Sequence, residues 1–286
     1  MTPAVVLLTF LVILSFGSYG YSQLLDSNCI ASHRMRIIGG QDAQRTPWMA
    51  YLIRDNTFAC GGSLIAHRSY LQLIKYCIYN GFFITFLFIS GFVLTAAHCT
   101  KVNDNLFVRL GEYDSSRTTD GQTRHYRVVS IYRHENYIDF RNHDIAVLKL
   151  SRKVVYDAFI RPICIFFNSG YQSFANSIQD FILTGWGQMA HNKMPTTLQK
   201  MSLRRVSNEY CGVPGLSICC WNPLQYACFG DSGSPLMSVV KYGQSTIYVQ
   251  FGVTSSVTGN CDGFSSYLDL TSYIPWLSQT LSRNWA

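Results

Sequence analysis

The stretch CFGDSGSPL, residues 228–236, decides how the rest of the chain reads. A Gly-Asp-Ser-Gly string alone is more often a turn than a site, because all three residue types favour turn backbone. Two other stretches change its weight. LTAAHC, residues 94–99, supplies His98, and NHDIAVLKL, residues 142–150, supplies Asp144. A single His in an apolar segment is more often structural than chemical. Together, in the order His, Asp, Ser, the three supply the side chains that nucleophilic acyl chemistry combines. A serine hydroxyl is a poor nucleophile at neutral pH. A neutral imidazole has to take its proton and give it back, and a buried carboxylate has to fix the imidazole's tautomer.

The surroundings of these motifs are short β-like runs: FVLTAAHC, LFVRLG, YRVVSIYR, DIAVLKL, DFILTGWG and TIYVQFGVTSS. Val, Ile, Tyr, Phe and Thr dominate them, and Gly, Asn, Asp and Ser break them, which predicts an all-β barrel or sandwich. Long helical periodicity and internal repeats are absent. LTSYIPWLSQTLSRNW near the end predicts one terminal helix with Trp276 and Leu277 on its buried side. At 286 residues the chain holds one large domain or two small ones.

With IIGG at 37–40, CGGSLI at 60–65, RPICI at 161–165 and TGWG at 184–187, the ordered motifs resemble the chymotrypsin-like serine proteases, family S1, and most of all their insect members. The resemblance covers nearly all of 37–286. It implies two six-stranded antiparallel β-barrels with a C-terminal helix and a catalytic cleft between the barrels. By resemblance Ser232 is the nucleophile, His98 the base and Asp144 the orienting acid. The backbone N–H groups of Gly230 and Ser232 form the oxyanion hole. MRIIGG resembles an activation site cut after Arg36, whereupon the new α-amino group of Ile37 turns inward onto Asp231. The family pattern also implies the disulfides Cys29–Cys164, Cys60–Cys99, Cys211–Cys219 and Cys228–Cys261. Cys77 and Cys220 are left over from the ten cysteines.

Residues 1–22, MTPAVVLLTFLVILSFGSYGYS, read as a signal peptide, and 23–36 as a short propeptide. The segment lacks an early Lys or Arg, so an uncleaved anchor is the alternative. Secretion suits the cysteine count, since an oxidising compartment pairs thiols. A net charge of +7 scattered along the chain, without a basic block, argues against nucleic-acid binding. The expected partners are protein or peptide substrates, an activating trypsin-like protease and serpin-type inhibitors, with no membrane partner. No cofactor or metal is expected. Some family members bind calcium in the loop that here follows Glu112, but Thr119 and Gln122 stand where acids are expected.

The chain also departs from the family. At the base of the specificity pocket, six residues before Ser232, stands Tyr226 in place of the Asp of trypsin-like enzymes. The wall positions, usually Gly, align with Val257 and Ser265. This implies preference for an uncharged, small or shallow side chain before the cleaved bond. Ser255 and Ser256 fall on the strand that pairs with substrate backbone. Ser234 replaces a Gly in GDSGSP. These changes raise a second reading, a weakly active or inactive homologue that binds partners or regulates a cascade; the intact triad opposes it.

The strangest segment is residues 69–90, SYLQLIKYCIYNGFFITFLFIS. It separates CGGSLI from FVLTAAHC, which in the family are adjacent strands joined by a few residues. Three readings compete: a membrane span, since an uncharged run from Cys77 to Ala97 is long enough to cross; an apolar surface loop, a liability unless it docks on something; and a translated, retained intron. The third reading explains the most. Deleting the segment restores the family hairpin. Its Phe, Ile, Leu, Tyr, Lys and Asn suit A/T-rich DNA, and FLFISG back-translates to a splice-acceptor-like tract.

Overall fold

The computed structural model describes residues 24–34, 46–72, 86–101, 104–117, 123–188, 194–213, 215–224, 227–257 and 263–284. The chain forms two closed antiparallel barrels of six strands each. The first comprises β1 (Met49–Arg54), β2 (Thr57–Gln72), β3 (Phe86–Thr95), β4 (Leu106–Leu110), β5 (Arg124–Arg133) and β6 (Ala146–Leu150), in the order β1-β2-β3-β6-β5-β4. The second comprises β7 (Asp180–Gly185), β8 (Gln199–Val206), β9 (Ser217–Trp221), β10 (Pro235–Tyr242), β11 (Ser245–Val257) and β12 (Ser265–Asp269), in the order β10-β11-β12-β9-β8-β7. Closure removes the unpaired edges that an open sheet exposes. In β4 the period-two pattern is plain: Leu106, Val108 and Leu110 are buried, while Phe107 and Arg109 are half-buried between them.

Among the described residues two short α-helices complete the fold, α1 (Gln172–Ser177) and α2 (Ile274–Asn284). On α2 the buried stripe is Ile274, Leu277 and Leu281, spaced as one helix face. Trp276 is only half-buried, and its indole N–H donates to Glu135 at 3.1 Å. The amphipathic ring keeps its polar edge at the surface, so Trp276 sits on the border of the buried face. The carbonyl of Asn284 accepts from Lys149 Nζ, which ties the end of α2 to β6.

Polar contacts join the barrels. Ser63 Oγ on β2 donates to Gln250 Oε1 on β11 at 2.7 Å, with both residues buried. The N-terminal peptide is built into the body. Leu24 bridges Phe166, Cys29 is bonded to Cys164, and Asp26 accepts from Tyr156 Oη and from the side chain and N–H of Asn28. Cys60–Cys99 and Cys211–Cys219 are also bonded. Cys228 is in a disulfide; its expected partner Cys261 lies outside the described residues, as does Cys77. Cys220 is a free, buried thiol, and burial pushes its pKa up to about 12, which leaves it unreactive.

The segment 69–90 extends the β2–β3 hairpin. β1 pairs with β2 from Thr57 to Ser63, and β6 pairs with β3 only from Phe92 to Thr95. β2 and β3 nevertheless continue pairing outward, through Arg68↔Ser90 to Gln72↔Phe86. Among the described residues, this outer part is a two-stranded ribbon paired only with itself. The barrel closes without it. The expected cleavage site, Arg36 and Ile37, and the expected signal segment 1–22 lie outside the described residues, as do Thr119, Gln122 and Tyr226. Among the described residues no helix is long and apolar enough to cross a membrane.

Candidate active site

His98 sits in a single 3-10 turn, Ala97–Cys99, at the end of β3. Asp144 lies in the loop just before β6 and is 1% exposed. Its carboxylate meets His98 twice. Oδ1 accepts the His98 backbone N–H at 2.9 Å, and Oδ2 lies 2.7 Å from Nδ1. The two contacts fix both the turn and the ring. With Nδ1–H committed to the carboxylate, the lone pair of the neutral imidazole is left on Nε2, the nitrogen a base needs.

Ser255 Oγ approaches the same Asp144 Oδ2 at 2.6 Å and the Phe140 carbonyl at 2.5 Å. A hydroxyl has one proton, and the ionised carboxylate is the stronger acceptor. Ser255 therefore joins the Asp144 hydrogen-bond network. It does so from β11, the strand on which the sequence reading expected it. Nothing in the local sequence TSSV marks it out for this contact.

Ser232 occupies a tight turn between two residues of positive φ, Gly230 at +98° and Gly233 at +79°. L-residues are strained there, and space is short as well. A Cβ on Gly230 would stand 3.1 Å from the Phe58 ring and 3.2 Å from Gly187 Cα. The Phe229 carbonyl accepts from Gln188 N–H at 2.7 Å. In a trans peptide the N–H points opposite to the C=O, so the Gly230 N–H is aimed to the other side of that peptide. The Ser232 carbonyl accepts the Gly61 N–H at 2.9 Å, and Thr95 Oγ donates to the Gly61 carbonyl at 2.8 Å. Gly61 follows Cys60, whose disulfide leads to Cys99 beside His98. The turn bearing Ser232 is thus docked on the strand ends that carry His98, although the two belong to different barrels.

Asp231, beside Ser232, is 3% exposed. It accepts N–H groups from Gly187 and Cys228, each at 3.0 Å. Desolvation nevertheless dominates and lifts its pKa to about 6. None of the ion pairs among the described residues includes it. Ile37, the expected partner, is outside the described residues.

At the expected specificity pocket, Val257 on β11 pairs directly with Ser265 on β12. Ser265 is 1% exposed, and its Oγ lies 2.9 Å from Tyr267 Oη. Ser256 and Ser266 share a hydroxyl contact of 2.7 Å. Among the described residues the one cluster with metal-ligand composition is Cys60, His98 and Cys99. Its two sulfurs are bonded to each other, so it has no thiolate to offer a metal.

The family model described as Trypsin matches residues 84–277. The chain is 29% identical over 269 residues to "Serine protease grass" of Drosophila melanogaster, covering 83% of this chain and 65% of that protein. It is 28% identical to "Phenoloxidase-activating enzyme 1" of Spodoptera litura, covering 87% of this chain and 68% of that one. It is also 28% identical to human "Testisin", covering 87% and 79%. The chain thus spans about two thirds of the length of the insect proteins. With a matched segment that runs over well more than half of its residues, and with the paired barrels in place, the chain belongs to the trypsin family of serine-type endopeptidases.

Proposed function

We infer that the protein is a secreted serine endopeptidase made as a zymogen and activated by cleavage after Arg36. The observation that carries this reading is the Asp144 carboxylate, buried and held against both the backbone and the ring of His98, with the Ser232 turn bonded to Gly61 beside the Cys60–Cys99 bridge. In this reading Ser232 Oγ attacks the peptide carbonyl while its proton passes to His98 Nε2. The resulting oxyanion is met by the N–H groups of Gly230 and Ser232. The imidazolium then gives its proton to the leaving amine, forming an acyl-enzyme. Water repeats the sequence and releases the acid.

The residue types at the two expected wall positions, Val257 and Ser265 where the family has Gly, support an uncharged, small or shallow residue before the cleaved bond. Ser265 is buried, and its backbone partner is Val257 rather than Gly. The named role of the phenoloxidase-activating relative supports a place in a proteolytic cascade, with a trypsin-like protease upstream and serpin-type inhibitors as regulators. Labelling with an active-site-directed organophosphonate after cleavage at Arg36 tests the reading. Covalent labelling at Ser232 is expected. A folded, cleaved protein that takes no label would leave only the alternative, a binding or regulatory homologue.

The domain organisation that goes with this reading is a signal peptide at 1–22, a propeptide at 23–36 and a catalytic domain at 37–286. Cys29–Cys164 would keep the propeptide attached after cleavage. Residues 69–90 form no part of the working enzyme. The support for this is that the barrel pairings stop short of the ribbon, and that the family match begins at residue 84, inside it.

A further inference from the structure

Immediately before Asp144, His143 has φ +53°, a left-handed conformation unusual for a residue with a Cβ. Its carbonyl accepts the Ile145 N–H at 2.8 Å, which closes a tight turn with Asp144 at the centre. The His143 ring stacks on His134, with centroids 4.5 Å apart and planes 9° from parallel. His134 follows β5, and its N–H bonds the Ile145 carbonyl at 3.1 Å. Tyr273, from the turn that leads into α2, stands nearly perpendicular to both imidazoles, and its Oη lies 3.1 Å from His143 Nδ1. A cavity of about 230 Å³ reaches this group. His143, Asp144, Ser255 and Tyr273 are among its lining residues.

We propose that His143 is a positioning residue for Asp144, and that the stacked His134–His143 pair makes this positioning acid-sensitive. The inference rests on the catalytic reading of Asp144. Two imidazolium rings at this spacing repel, so the pair takes up one proton before a second becomes costly. His134 Nδ1 already accepts the Asn136 N–H at 3.2 Å, and burial lowers its affinity for a proton. On the other ring, His143 Nδ1 has Tyr273 Oη at 3.1 Å, a neighbour able to accept a proton placed there. Tyr273 stays neutral, its pKa pushed up to about 12 by burial and by the charges of Asp269 and Asp144.

The titratable and charged groups near the pair lie on the connection between β5 and β6, at the end of β5 and, through Tyr273, at Asp269. Glu135 follows His134 and accepts from Trp276 of α2. Asp144 lies next in sequence to His143. Tyr137 is on the same loop, with Arg133 and Asp139 acting on it. A cation on His143 is a second positive charge competing for the carboxylate that has to stabilise the His98 imidazolium. Below the pair's titration Asp144 holds His98 less strongly, and turnover falls by a second proton.

The test uses the full chain carrying Ser232→Ala, which prevents self-cleavage, and follows the His98 Nδ1 proton by NMR from pH 4 to 9. Two titration steps are expected in this parent and one after adding His143→Asn. Adding Tyr273→Phe keeps the ring but removes the acceptor for the proton on His143, so the second step moves to lower pH. A single step in the parent, two steps in the His143→Asn chain, or an unmoved step with Tyr273→Phe would overturn the proposal. In the activated Ser232 enzyme, kcat/KM should fall about 100-fold per pH unit on the acid side, and about 10-fold in His143→Asn. If that enzyme takes no phosphonate label, the catalytic reading fails, while the NMR titration still decides the coupling.

Discussion

Ser255 Oγ and His98 Nδ1 converge on one oxygen, Asp144 Oδ2, at 2.6 and 2.7 Å. Ser255 is on β11 of the second barrel, while Asp144 belongs to the first, so this oxygen is a junction of the two halves. The hydroxyl stabilises the carboxylate in its ionised form and keeps it turned toward the ring. Ser255→Ala removes a donor to a charged acceptor. Such a bond contributes about 1.5–3 kcal/mol, so kcat/KM should drop about 10- to 100-fold. Steady-state kinetics on the activated enzyme would check this, with the loss expected in kcat because the side chain faces Asp144 and not substrate. A loss confined to KM would contradict it.

Asp231 gives the uncleaved chain an unusual pH dependence. Its ordinary pKa of 3.8 rises to about 6 on folding. The folded chain therefore holds a proton that the unfolded chain has lost between these two values. Stability from this group is fully present below pH 3.8 and is lost as pH rises through 6. A shift of about 2 units corresponds to roughly 3 kcal/mol. Urea unfolding of the uncleaved chain at pH 4 and pH 7 should show this decline, and Asp231→Asn should flatten it. After cleavage at Arg36, an α-amino group paired with the carboxylate would lower its pKa and reverse the slope. Equal slopes in the parent and in Asp231→Asn would refute the assignment.

The order of His98, Asp144 and Ser232 and the β-rich spacing made the barrels legible, because each strand's hydrophobic alternation is local. The pairs Cys29–Cys164, Cys60–Cys99 and Cys211–Cys219 were legible through family resemblance. Ser255 was not, since its contact with Asp144 spans 111 residues and depends on how the barrels dock. The His134–His143 stack was hidden for a related reason. Its two rings come from either end of a loop, and the left-handed turn at His143 brings them parallel.

Ser234 occupies a position where its side chain has little room. It is fully buried, and among the described residues its Oγ finds no hydrogen-bond partner. The hydroxyl lies where a Cβ on Gly61 would stand. Gly61→Ala should therefore force Ser234 and the nucleophile turn to shift, costing about 2–3 kcal/mol as overpacking. In a Ser234→Gly background the same change should cost at least about 1 kcal/mol less, since the two sites share one space. Denaturant unfolding of the four chains of this cycle measures the coupling. Additive effects would mean that the two residues do not compete.

Removing residues 69–90 should leave a chain that folds. Ala66 pairs with Phe92, so the deletion joins them through His67, Arg68 and Gly91. Three residues including Gly make an ordinary hairpin loop. Gly91 is already required, since a Cβ there would meet Val154 Cγ2 at 2.3 Å. Loop entropy favours the shorter connection only slightly, at about 0.6 kcal/mol per doubling of length. The larger gain comes from losing an apolar segment, whose described part pairs only with itself, and from losing Cys77, a thiol that can mispair with Cys60 or Cys99 during folding. The deleted chain should therefore appear with a higher soluble yield and with Cys60–Cys99 formed, and phosphonate labelling after activation should be at least equal to that of the parent. Sequencing of transcripts across codons 60–100 should find a message without the segment. A deleted chain that fails to fold would show that the ribbon supports the barrel. Transcripts that all carry the segment would refute its origin as an intron.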